Sequence, residues 1–94
     1  MIRWGEEKDR WLRSTRGVSF DQIAEQILAG EYLDVLVHPS RLGQDIYVLR
    51  IEGHTWAVPF VSEKGFIFLK TAFPSRKLHR RSGGLHAQDQ TRSG

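Results

Sequence analysis

YLDVLVHPSRLGQDIYVLRIEGHTWAVPFVSEKGFIFLKTAF, residues 32–73, decides the fold. Much of it follows a period of two, the spacing at which a strand sends successive side chains to opposite faces. YLDVLVH (32–38) reads as a strand that stops at Pro39, and residues 39–44 as a polar loop. DIYVLRI (45–51) is the next strand, and Glu52-Gly53 turn the chain tightly into HTWAVPFV (54–61). Residues 62–65 turn it again into FIFLKTAF (66–73). Connections this short join antiparallel neighbours, so the stretch predicts a meander of three or four strands. Pro59 has no N–H for a ladder, which places it at an edge or at a bulge.

Upstream the period changes to that of helices. Residues 2–4 are a short strand or an extended lead-in. Residues 6–16 read as a helix with Glu6, Glu7 and Asp9 in the first turn and Arg13 and Arg16 in the last, an order that suits the helix dipole. Spacing from Trp4 turns Trp11 and Leu12 toward the core, with the stem of Lys8 alongside, and Gly17 ends the helix. In the second helix Ser19 is an N-cap and Gln22 completes a capping box, while Val18 and Ile23 fit a hydrophobic staple. Phe20, Ile23, Ala24, Ile27 and Leu28 make one apolar stripe, stopped by Gly30. The expected class is therefore α+β: two N-terminal helices packed on a twisted antiparallel meander of three to four strands. Residues 1–81 are expected to form one domain, and residues 82–94, almost without apolar content, read as a disordered tail.

Both faces of the strands are apolar. Tyr47, Leu49 and Ile51 oppose Ile46 and Val48, and Trp56, Val58 and Phe60 oppose Thr55, Ala57 and Val61. Two short helices cover one face. The other is left partly bare, which on a small protein marks an interface and predicts a protein partner.

Composition narrows the function. The chain has 94 residues, 39% hydrophobic and 27% charged, values of a globular protein with one modest core. Zero cysteines exclude a disulfide scaffold or a cysteine-based zinc site. No run of about 18 apolar residues is present to span a membrane, and the N-terminus lacks the apolar core of a signal peptide. The expected location is the cytoplasm. The four histidines, His38, His54, His79 and His86, follow no metal-binding spacing, so neither metal nor cofactor is expected. No phosphate-binding glycine loop, nucleophile elbow or pair of catalytic carboxylates is evident.

The charge is unevenly placed. Residues 1–63 hold seven Lys or Arg against ten Asp or Glu, whereas KGFIFLKTAFPSRKLHRR (64–81) holds six bases and no acid. A basic end on a sheet is a means of meeting a polyanion, most often nucleic acid. Lys70 shares a face with Phe66 and Phe68, and Arg76 and Lys77 follow a Pro-Ser turn. Arginine holds two phosphate oxygens at once, and lysine acts as a point charge. RNA cleavage without a metal needs such groups to stabilise charge on phosphorus, together with a base for the 2′-hydroxyl proton. Lys70, Arg76 and Lys77 are thus candidates for the phosphate, and His79 or His54 for the base, with His38 also able to approach. Arg50, Arg80 and Arg81 are further candidate phosphate contacts, and Trp11, Tyr47 and Trp56 are candidate stacking platforms for bases, with Trp56 also fitting the core. Against this stand a snorkelling Lys70, a solvated basic terminus, surface histidines and a core Trp11.

Trp4 with a charged helix, then RGVSFDQIAEQI (16–27), a β-meander and KTAFPSRK (70–77) together resemble the BrnT-like toxins of bacterial type II toxin–antitoxin systems, small relatives of the RelE superfamily. The resemblance covers residues 2–81 and is carried best by GVSF (17–20) and Ser75-Arg76-Lys77. It implies helices on a twisted antiparallel sheet and metal-independent endoribonuclease activity. It also implies inhibition by a small antitoxin of ribbon-helix-helix type, and it maps the family's basic motif onto Arg76 and Lys77. The chain departs from that pattern at Ser82-Gly83-Gly84, where the family continues into a charged helix. Two other readings stay open: a non-catalytic nucleic-acid-binding module, and a protein-interaction subunit.

Overall fold

The computed structural model describes residues 1–78; His79, Arg80, Arg81 and the expected tail lie outside the described residues. Strand β1 (Ile2–Trp4) leads into α1 (Glu6–Thr15) and α2 (Phe20–Leu28). Then come β2 (Asp34–Val37), β3 (Gln44–Ile51), β4 (His54–Glu63), β5 (Phe66–Leu69), β6 (Phe73–Pro74) and the single turn α3 (Arg76–Leu78). The class is α+β, but the sheet is larger than a meander of three or four strands. Six strands form one mixed sheet in the order β1-β5-β4-β3-β2, with β6 also paired to β4. The lead-in became an edge strand parallel to β5, Ile2 facing Ile67 and Trp4 facing Leu69. Three residues predict no pairing by themselves; β5 supplies the template.

Helix α2 starts as its residues dictate. Ser19 Oγ accepts the Gln22 N–H at 3.1 Å, and the Gln22 side chain reaches back to the Ser19 N–H. Helix α1 has no side-chain cap but provides one for its neighbour: buried Asp9 accepts the Phe20 N–H through Oδ1 at 2.8 Å, with Arg13 at 3.3 Å from Oδ2. A carboxylate at the first residue of α2 meets both an orphan donor and the positive end of a dipole. The two helices are thereby fixed across Gly17, whose positive φ of 74° suits the reversal.

Leu12, Val18, Phe20, Ile23 and Ile27 from this layer pack on Leu49, Ile51, Trp56, Val58, Phe60 and Leu69 of the sheet. Trp4 closes the cluster with its ring 5.8 Å from Phe20. Trp11 does not join it. It is 40% exposed, and its ring lies between Lys8 at 4.8 Å and Arg16 at 4.6 Å. Helical spacing made it a neighbour of Leu12, but the stripe that docks is narrower than two large side chains, and the cations take the ring instead.

Pro59 lies in a central strand, flanked by β3 and by β5 with β6. Phe60 faces Leu69 while Ala57 faces Phe73, so two β4 residues, Val58 and Pro59, oppose three, Lys70, Thr71 and Ala72. This is a β-bulge. The Lys70 N–H donates to the Pro59 carbonyl at 2.8 Å, which shows that the backbone polar side of Pro59 points at the bulge. The absent N–H therefore falls where the ladder is already interrupted.

Candidate phosphate-binding site

The face of the sheet away from α1 and α2 carries Gln44, Ile46, Val48 and Arg50 of β3, paired to Val61, Pro59, Ala57 and Thr55 of β4. Phe66 and Phe68 continue it on β5, and Phe73 on β6. Near its centre Val48, Thr55 and Ala57 are buried, and α3 packs against β4. Toward the β5 side the face is more open, and the Phe66 and Phe68 rings lie under cations, Arg3 at 4.7 Å and Lys70 at 5.7 Å.

A shallow cavity of about 240 Å³ lies on this face, lined by His38, Arg41, Gln44, Pro59, Lys70, Thr71 and Phe73. Two irregularities build it. Lys70 keeps the β5 register, with its N–H on the Pro59 carbonyl, and the bulge then turns Thr71 out of regular pairing, while the loop after β2 brings His38 and Arg41 over the end of β3. That loop is fixed by the His38 N–H donating to the Gln44 carbonyl at 3.0 Å and the Gln44 N–H to the Arg41 carbonyl at 3.2 Å. Pro39 stops the strand, and Gly43, at φ 80°, lets the chain turn back.

The lining is rich in donors: the Arg41 guanidinium, the Lys70 ammonium, the Gln44 amide and the Thr71 hydroxyl. Among the described residues no carboxylate lines it, and neither Arg41 nor Lys70 enters an ion pair. His38 Nδ1 accepts the Ser40 N–H at 3.1 Å. That bond assigns the ring proton to Nε2, so in this arrangement the imidazole presents a fifth donor. Two cations and neutral donors around one concavity suit a phosphate or another small oxyanion. Among the described residues no three His, Asp or Glu side chains are grouped for a metal ion.

Of the residues singled out from sequence, Lys70 and His38 are in this site. Arg76 and Lys77 are not among its lining. They follow Ser75, whose N–H reaches the Thr55 carbonyl, four β4 residues from the Pro59 carbonyl that holds Lys70. At about 3.3 Å per strand residue the backbones lie roughly 13 Å apart. His54 opens β4 at the turn, five residues from Pro59, and Arg50 projects from the same face but at the Thr55 end. Tyr47 belongs to the opposite face, stacked on Phe60 at 4.5 Å with Tyr32 edge-on at 5.0 Å. Its phenol is raised above the ordinary 10.0, first by burial and then by Tyr32. Trp11 lies on the helix side, clasped by its cations. His79, Arg80 and Arg81 fall outside the described residues. Arg41 and Gln44 were missed: each is an isolated polar residue at a loop, and only the β2–β3–β4–β5 pairing brings them beside Lys70.

No protein-family model, no curated protein and no solved structure matches the chain.

Proposed function

We propose that the chain binds RNA, with one backbone phosphate seated between Arg41 and Lys70, and that it acts in the cytoplasm as the toxin of a type II toxin–antitoxin pair. The observation that carries the binding is the cavity beside the bulge, lined by His38, Arg41 and Lys70 and, among the described residues, by no carboxylate. The Phe66 and Phe68 rings with their cations continue from it as an aromatic and basic surface, the combination that single-stranded nucleic acid uses. The toxin role, the RelE/BrnT-like arrangement of the fold and a ribbon-helix-helix antitoxin rest on the resemblance of residues 2–81 to BrnT-like toxins.

Cleavage would proceed by attack of a 2′-hydroxyl on the adjacent phosphorus, forming a 2′,3′-cyclic phosphate as the P–O5′ bond breaks and the departing 5′-oxygen takes a proton from water. Arg41 and Lys70 would stabilise the charge gathering on the phosphoryl oxygens. A proton acceptor is also required. His38 meets that need once Nε2 is free, which requires the Ser40 N–H to give way to a proton at Nδ1. The bond as it stands favours a second reading, an RNA-binding module that does not cut.

Expression of the chain alone in bacteria, followed by incubation of purified protein with RNA with and without EDTA, separates the two. Growth arrest and EDTA-insensitive fragments, abolished in Arg41→Ala and Lys70→Ala, support the ribonuclease. Retention of intact RNA without fragments leaves the binding module. Absence of RNA binding at low salt removes both. A ribbon-helix-helix protein encoded next door would support the partner.

A further inference from the structure

The large exposed apolar side chains are concentrated on one edge. Tyr32, Leu33, Val35, Val37 and Leu42 all lie in or beside β2, with Val37 at 80% exposure. β2 ends the sheet, and the His38 N–H donates to the Gln44 carbonyl, so by alternation Leu36 also turns its backbone groups to β3. The N–H and C=O of Val35 and Val37 therefore face outward. The Val35 N–H is capped by Asp34 Oδ1 of its own strand at 2.8 Å.

The sequence around this edge is complementary to itself. Turned antiparallel with Leu36 on the two-fold axis, β2 sets Val35 opposite the partner's Val37 in hydrogen-bonded pairs. Leu36 then meets its own copy, and Asp34 meets the partner's His38. Each of these pairings is favourable: two exposed valine pairs become covered, and a carboxylate meets an imidazole whose Nε2–H is unengaged among the described residues while Nδ1 is held by Ser40. We infer that the outer edge of β2 pairs with β2 of a second copy of this chain, joining two sheets into one. Asp34 serves both states: it caps Val35 in the single chain and moves to the partner's His38 on pairing. Pro39 ends the pairing one residue beyond, so the shared ladder is short and its strength comes from the valines and the two charged ends.

The inference does not rest on the RNA reading, although the two share the His38 Nε2–H, which on pairing goes to the partner's Asp34 at the cavity rim instead of to a phosphate. Its test reads mass and cross-linking, so the two fail separately. Sedimentation or light scattering across the micromolar range should show a monomer–dimer equilibrium, and Val37→Lys should leave a folded monomer. The chain has no cysteine, so Leu36→Cys introduces one. On the two-fold axis, opposed Cα atoms lie about 4.5 Å apart, within disulfide reach. Leu36→Cys should then oxidise to a covalent dimer, and Val37→Cys, which faces a valine, should not. A monomer at every concentration overturns the inference. So does a dimer that survives Val37→Lys, or cross-linking that prefers position 37. If Leu36→Cys does not fold, the wild-type mass and Val37→Lys decide alone.

Discussion

Asp9 shows how one side chain joins two elements. It is buried, yet both oxygens are used, one by the Phe20 N–H and one by Arg13. Asp9→Ala leaves a buried backbone donor without an acceptor, and a destabilisation of about 1–3 kcal/mol is expected in denaturant unfolding. A value near zero would mean that α2 keeps its position without this link. Tyr47 offers a second measurement. Its pKa in the folded protein lies above 10.0 because burial, and then Tyr32, disfavour the phenolate. Folding therefore favours the proton, and this contribution is present below pH 10 and is lost as pH rises through the higher folded value. An ultraviolet titration should place the Tyr47 phenolate above free tyrosine, and Tyr47→Phe should flatten the alkaline fall in stability. Titration at or below the ordinary value would contradict the burial assigned to this ring.

The turn between the helices tests an element. The Arg16 and Gly17 N–H groups both reach the Leu12 carbonyl, at 2.8 and 2.9 Å, and Gly17 holds φ at 74°. No atom lies within 4 Å of a Cβ added there, so the cost of Gly17→Ala is purely one of backbone conformation. Roughly 1–2 kcal/mol is expected. Gly17→Asn, which tolerates the left-handed region, should recover part of it in thermal melts. On β4, Pro59 shows the opposite relation between residue and element. A residue without an N–H usually marks an edge, but here a central strand accommodates it because its partner is bulged. The same bulge starts directly after Lys70 and places Thr71 in the cavity lining, so one irregularity serves both pairing and site.

Across the whole molecule, charge and shape meet on one face. Lys70 is delivered by the end of β5 and Arg41 by the loop after β2, and both are exposed. Replacing both by Ala should leave thermal stability nearly unchanged while weakening binding to single-stranded RNA. The slope of log affinity against log salt should fall by about 0.7 for each phosphate that the variant no longer neutralises. Equal slopes for wild type and the double variant would place the phosphate elsewhere. Arg76→Ala is expected to change the slope less, because α3 sits at the Thr55 end of β4.

Local grammar was legible without coordinates. The Ser19–Gln22 capping box, the helix stops, the strands at 34–37, 44–51 and 54–63 and the two apolar sheet faces are properties of neighbours in sequence, set by caps, turns and periods of two and 3.6, whereas the expected strand 66–73 is two, Phe66–Leu69 and Phe73–Pro74. The sequence also marked Lys70 and the difficulty at Pro59. It could not pair residues 2–4 with β5, because a three-residue strand exists only through its partner, nor turn Trp11 outward, because docking of the helix decides which part of a stripe is covered. It gathered Lys70, Arg76 and Lys77 by closeness in sequence, whereas an extended chain carries residues six apart to different ends of a strand. The site that forms instead joins His38 and Arg41 to Lys70 across three strand pairings. Register alone decides that meeting, and register is a property of the folded sheet.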